Sequence, residues 1–267
     1  PYTLPLINVL ALAAGTWCVE EILRRYRANP WYALTFGLYA GQLMSARLDL
    51  AEPLAYTLVA AAILSTERGS WRGTVVLFAM SALARETSLV FIGGYLLFLV
   101  VQREWRRAAT LALGVGLPWL AWQGVLWVWL GRPGFGSGGA GATSWEIVPF
   151  RGFWSVGSID IEAFALIALI VLPLTIIPGL FTLVAAIRDL WAGRWHPYAT
   201  MLLANAAILL FLPQSSYREP LAMLRLTTGL VVATILFGAR KRSRRILNYS
   251  LLWLASLVFV AKENPTL

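Results

Sequence analysis

Charge is scarce in this 267-residue chain: Asp, Glu, Lys and Arg together make up 13% of it, against 59% hydrophobic residues and a mean hydropathy of +0.69. Soluble globular domains carry about 25% charged residues, so that class is excluded, and apolar runs recurring from end to end identify a polytopic membrane protein. Cysteine is nearly missing too. Cys18 stands alone inside an apolar run, so no internal disulfide can form and the redox compartment stays undefined. The single histidine, His196, has no second His or Cys nearby and reads as a loop residue rather than a metal ligand or catalyst. The first apolar run has no basic n-region before it and no small-residue cleavage site of signal-peptide type. The glycine-rich run from Gly134 to Gly141 lacks the Lys-Ser/Thr that completes a phosphate-binding loop, and it reads as a flexible external loop able to act as a lid.

Acids are the scarcer sign, 13 against 22 Lys and Arg, for a net charge of +9. Such an excess can mark nucleic-acid binding, but here the basic residues collect in short turns between apolar runs, as the positive-inside rule requires. Nucleic acid is therefore discounted, and membrane lipids are the expected surroundings. Parity assigns about ten membrane segments: 4–22, 31–46, 53–65, 74–84, 88–101, 108–130, 164–187, 198–212, 221–238 and 246–261. Fifteen of the 22 basic residues fall in the cytoplasmic turns and eight of the 13 acids fall outside. The expected fold is all-α, a single polytopic transmembrane bundle over residues 1–267 with an external loop at 131–160. Segments 74–84 and 88–101 are too short to span, since at about 1.5 Å per residue they reach only about 20 Å against a hydrocarbon core of about 30 Å. They form a hairpin whose tip, Arg85-Glu86, sits below the outer surface.

The charged outer turns carry the candidate chemistry. Arg47, Asp49 and Glu52 interrupt the apolar pattern between the second and third segments, where charge is expensive. Asp49-Leu-Ala-Glu52-Pro-Leu-Ala55 and Ser216-Tyr-Arg-Glu219-Pro-Leu-Ala222 share one form. The plain reading is a capping box opening each inward helix, with Asp49 or Ser216 as the cap and Glu52 or Glu219 reaching back. Capping accounts for the acids and leaves the arginines over. Arg218 and Arg225, seven apart, share one face of a helix, with Arg225 already in the apolar run; it must pair with Glu52, Glu86 or Glu219, or hold a ligand. The natural ligand is the phosphate of a lipid-linked substrate. The 13 tryptophans read as interfacial anchors and packing, with Trp145 and Trp154 the best placed to stack on a sugar. Asp160-Ile-Glu162 reads as capping, and Arg240 to Arg245 as a cytoplasmic anchor near anionic lipid.

The run Asp49-Leu-Ala-Glu-Pro-Leu-Ala, a basic turn, and then Ala82-Leu-Ala-Arg-Glu-Thr87 resemble the integral-membrane glycosyltransferases of the GT-C superfamily. Bacterial members tied to cell-surface glycopolymer formation are the nearest in kind, and Ser216-Tyr-Arg-Glu-Pro-Leu-Ala-Met-Leu-Arg225 is similar to that group as well. The resemblance implies transfer of a sugar from a polyprenyl-phosphate donor to a glycan, lipid or protein acceptor at the outer face of a bacterial-type plasma (inner) membrane. It implies Asp49 and Glu52 as the candidates for base among the residues present, and Arg47, Arg85, Glu86, Tyr217, Arg218, Glu219 and Arg225 for substrate binding. In that family the catalytic aspartate lies in the first external loop after the first helix. Residue 1 here is already outside, so that helix and the main base are expected upstream of Pro1. No cofactor is assigned, and a divalent metal is left open. The rival readings are a transporter or lipid flippase, and a non-catalytic scaffold subunit of an envelope complex.

Overall fold

The computed structural model describes residues 3–131, 134, 143, 145–159 and 161–262. Among these residues every regular element is helical. In chain order they are α1 (Thr3–Arg25), α2 (Leu34–Gly37), α3 (Ala40–Arg47), α4 (Glu52–Glu67), α5 (Trp71–Ala84), α6 (Leu89–Val101), α7 (Trp105–Leu130), α8 (Arg151–Gly157) and α9 (Ile161–Val171). These are followed by α10 (Ile177–Trp191), α11 (Pro197–Ile208), α12 (Gln214–Arg218), α13 (Pro220–Lys241), α14 (Arg244–Ser250) and α15 (Leu257–Lys262). Four helical stretches are long and apolar enough to cross a membrane: Thr3–Arg25, Trp105–Leu130, Phe164–Trp191 and Leu221–Lys241. Shorter apolar helices cover Trp71–Ala84, Glu86–Val101 and Pro197–Phe211.

Several of the ten expected segments are not single uninterrupted α-helices. The 31–46 run is a 3₁₀ turn (Pro30–Ala33) followed by α2 and α3, and the 246–261 run is α14, a 3₁₀ stretch (Leu251–Ser256) and α15. Close approach explains the first break. A Cβ on Gly37 would lie 2.3 Å from Thr16 Oγ1, and one on Gly41 would lie 2.4 Å from the Leu224 carbonyl oxygen, so the chain bends to follow its neighbours. The 74–84 and 88–101 arms do form the expected hairpin, as α5 and α6 of 14 and 13 residues joined through Arg85 and a 3₁₀ turn at Glu86–Ser88.

The centre of the bundle is α13, buried around its whole circumference from Thr227 to Ala239; 78% of its spanning window is buried, against 17% for α7 at the periphery. Around α13 stand α3, α4, α11 and α14, with α1 and α5 flanking α4, and α6 and α10 packed on α11. Between α9 and α10 the helix relaxes into a π turn at Leu172–Ile176. Pro178 cannot donate to the Leu174 carbonyl four residues back, and the buried Trp253 Nε1–H does so instead at 2.7 Å. That bond is one of several that tie the C-terminal pieces to the bundle, with Tyr32 to Asn248 and the Ala40 N–H to Ser256 Oγ among the others.

Most of the basic turns meet at one end. Arg25 donates to the Glu67 carbonyl, Arg242 to the Tyr26 carbonyl, and Tyr26 and Tyr198 both donate to Glu67 Oε1 at 2.7 and 2.6 Å. Nearby, Lys241 and Arg194 each lie 2.7 Å from the buried carboxylate of Asp189. Several helices reach this end through the same stop, in which two amides bond back over a left-handed residue: Arg27, Gly69, Arg103, Gly193 and Arg242 all have positive φ. Glycine adopts that backbone freely; at the other three, the arginine charge lies beside the negative end of its helix.

Candidate functional site

At the opposite end, the stretch from Arg47 to Glu52 is shaped by how α3 stops rather than by how α4 starts. The Leu50 N–H bonds to the Ser45 carbonyl at 2.9 Å and the Asp49 N–H to the Ala46 carbonyl at 3.4 Å, with Asp49 at φ 55°. Asp49 is thus the left-handed residue of a helix C-terminus, a position that Asp tolerates because its short side chain clashes little. Asn8 Nδ2 donates to the Leu50 carbonyl at 3.1 Å and pins the turn to α1. The expected capping boxes are therefore absent. Neither Asp49 nor Ser216 caps a helix: α4 begins after Ala51 without a side-chain cap, and Ser216 lies inside α12.

Glu52 does something different from capping. It is 2% exposed, and its Oε1 accepts from Arg225 Nε at 2.9 Å and Arg225 Nη2 at 2.7 Å, while Arg85 Nη2 lies 3.3 Å away. Three separate turns supply this triad: the start of α4, the first turns of α13, and the junction of the α5–α6 hairpin, where Arg85 is extended at φ −154°. Two guanidiniums around one carboxylate leave the cluster with one unbalanced positive charge. Their side chains remain 35% (Arg85) and 22% (Arg225) exposed, so that charge can be reached. The two arginines are not equivalent. Arg225 grips Glu52 through two N–H groups, whereas Arg85 stands further off and its buried Nε has no hydrogen-bond partner among the described residues; Glu52 Oε2 has none either.

The other expected site residues divide clearly. Arg47, Asp49, Glu86, Arg218 and Glu219 are exposed at this end. Among the described residues Asp49, Glu86, Arg218 and Glu219 make no ion pair. The chain breaks at Glu219 into α12 and α13, so Arg218 and Arg225 do not share a helical face as expected. Tyr217 is not presented to a ligand: it is fully buried, its hydroxyl donates to the Leu209 carbonyl at 2.5 Å, and its ring packs edge-on to Phe153. It holds α12 onto the end of α11. Trp145 and Trp154 are both exposed, while Asp160, and all of the 134–141 run except Gly134, lie outside the described residues.

Two buried groups near the triad went unrecognised in the sequence. Tyr56, one turn after Glu52, sets its hydroxyl 3.4 Å from Thr87 Oγ1 and links α4 to the hairpin tip; the i, i+4 spacing from Glu52 was the available signal. Gln42, fully buried in α3, has neither amide atom hydrogen-bonded among the described residues, and its only sequence signal is an amide within an apolar run. No three His, Cys, Asp or Glu side chains gather into a metal site among the described residues. No protein-family model matches the chain, and neither a curated protein nor a solved structure matches it.

Proposed function

We propose that this protein is a membrane glycosyltransferase of GT-C type, taking a sugar from a polyprenyl-phosphate donor and passing it to a glycan, lipid or protein acceptor at the outer face of a bacterial-type plasma membrane. One observation carries the reading: the Arg85–Glu52–Arg225 triad holds an unbalanced, reachable positive charge at the end of the bundle opposite the basic turns. A phosphate leaving group needs such a charge, and arginine meets phosphate oxygens with two parallel N–H donors. In this reading the short α5–α6 hairpin sinks the charge to the depth of a lipid phosphate, and the remaining apolar segments cross the bilayer or dip into it.

The residues then take distinct parts. An acceptor hydroxyl attacks the anomeric carbon, a carboxylate takes its proton, and the polyprenyl phosphate departs towards Arg85. Glu52 is unsuited to be the base because two guanidiniums already occupy its Oε1, so its part is to position them. Asp49, exposed and unpaired among the described residues, is the base candidate within this chain. The test is sugar transfer in vesicles supplied with polyprenyl-phosphate-linked donors, comparing the parent with Arg85→Gln and Asp49→Asn. Asparagine also tolerates positive φ, so the second change removes the carboxylate and keeps the turn. The expected results are a raised KM for donor in the first and a lowered kcat in the second, both with unchanged thermal stability. Parent-like kinetics in both would overturn the assignment.

A further inference from the structure

At the basic end, α10 turns an unpaired face outward. Ile177, Leu180, Val184, Arg188 and Trp191 fall at helical spacing along one stripe, and all five are exposed, Trp191 at 87%. The stripe is apolar for two turns and then ends in a guanidinium and an indole. Beside it, α14 lays two side chains against α10. The Arg245 guanidinium carbon lies 5.9 Å from the Phe181 ring centroid, and the Tyr249 ring lies 4.7 Å from the same ring. Phe181 is seven residues before Arg188, so Arg188 lies about two turns further along the face that Arg245 and Tyr249 approach.

Neither Arg188 nor Arg245 makes an ion pair among the described residues, and their sequence neighbours offer them no free acid. Asp189 is the only acid between Glu162 and Glu219, and it is buried and already held by Lys241, Arg194 and His196. From Glu219 to Glu263 there is no other acid, while five basic residues stand between 240 and 245. Two exposed guanidiniums on the surface where α14 meets α10, with an apolar track leading away along α10 and an exposed tryptophan beside it, match one kind of occupant. We infer that the surface at the α10–α14 junction, carrying Arg188 and Arg245, binds the headgroup of an anionic phospholipid, with an acyl chain along Ile177, Leu180 and Val184. A soluble anion would make no use of the apolar track. A zwitterionic lipid would leave the excess charge unmatched.

The test is native mass spectrometry of the full chain released from mixed vesicles of phosphatidylglycerol and phosphatidylcholine, in the parent, Arg188→Gln/Arg245→Gln, Arg188→Lys/Arg245→Lys, and Arg106→Gln. Arg106 supplies an exposed charge on another helix, α7, as control. The parent is expected to retain phosphatidylglycerol in preference to phosphatidylcholine. The glutamine pair should retain it about thirtyfold less, about fivefold per guanidinium; the lysine pair should keep most of the preference, and Arg106→Gln all of it. Excess inorganic phosphate should not displace the lipid. Equal retention of both lipids by the parent, unchanged retention in the glutamine pair, or displacement by inorganic phosphate would each overturn the inference. Thermal unfolding in a zwitterionic detergent, expected to be the same for all four chains, separates loss of the binding surface from loss of the fold.

Discussion

Arg225→Met should be the most damaging single change in the triad, because it strands a carboxylate that is 2% exposed. Removing one partner of a buried ion pair costs about 3–5 kcal/mol, and the low end applies here because Arg85 still lies 3.3 Å from Glu52 Oε1. At about 2–4 °C per kcal/mol for a chain of this size, a cost of about 3 kcal/mol lowers the unfolding midpoint by about 6–12 °C. Glu52→Gln leaves two partly exposed guanidiniums that can turn to water, so it should cost only about 1.5 kcal/mol. Arg85→Met removes the longer contact from the more exposed partner and should cost less than about 1 kcal/mol. Combining Arg225→Met with Glu52→Gln removes the stranded charge, so the double variant should be more stable than Arg225→Met alone. The assay is thermal unfolding of the purified chain in one detergent at a fixed scan rate, because the unfolding of such proteins is often irreversible. Equal losses for Arg85→Met and Arg225→Met, or a double variant worse than Arg225→Met, would refute the division between a gripping and a reaching arginine.

Three further outcomes follow from the packing. Gly41→Ala puts a Cβ 2.4 Å from the Leu224 carbonyl oxygen; it should push α3 off α13, cost about 1–3 kcal/mol in thermal unfolding and impair any activity of the triad end. His196 accepts the Ala199 N–H on Nδ1, so Nε2 carries the proton towards Asp189 Oδ2 at 3.3 Å, and burial holds the ring below its ordinary pKa of 6.5 against the pull of Asp189. The unfolded chain therefore takes up this proton first: the contribution is complete above pH 6.5 and is lost as pH falls towards the lower folded value, and a pH series of unfolding midpoints should be flatter for His196→Gln than for the parent. Trp253→Phe should free the Leu174 carbonyl at the π turn and cost about 1–3 kcal/mol, with faster backbone hydrogen exchange from Leu172 to Ile177 as its local signature.

Run length and charge made much of the fold legible. The four long apolar helices and the short α5–α6 hairpin follow from uninterrupted hydrophobic stretches bounded by basic turns, signals that tertiary packing seldom overrides. The break within 31–46 was not legible, because it depends on what lies against the chain: Thr16 against Gly37, and the Leu224 carbonyl against Gly41. Asp49 was misread for a chemical reason. The same short carboxylate that suits a helix start also tolerates the left-handed backbone of a helix stop, and only the Leu50 to Ser45 bond distinguishes the two. For Arg225 the need of an acid was readable, but not which one, since Glu52 lies 173 residues away in sequence.

The central claim is that the triad end binds a lipid-linked phosphate, and it is tested most directly by equilibrium binding of a short-chain polyprenyl phosphate to the purified full chain. The parent should bind saturably, Arg85→Gln at least about tenfold more weakly, as expected for the loss of a hydrogen bond between charged groups, and Arg106→Gln at the basic end as tightly as the parent. Parent binding that does not saturate, or equal affinity in Arg85→Gln, would contradict it.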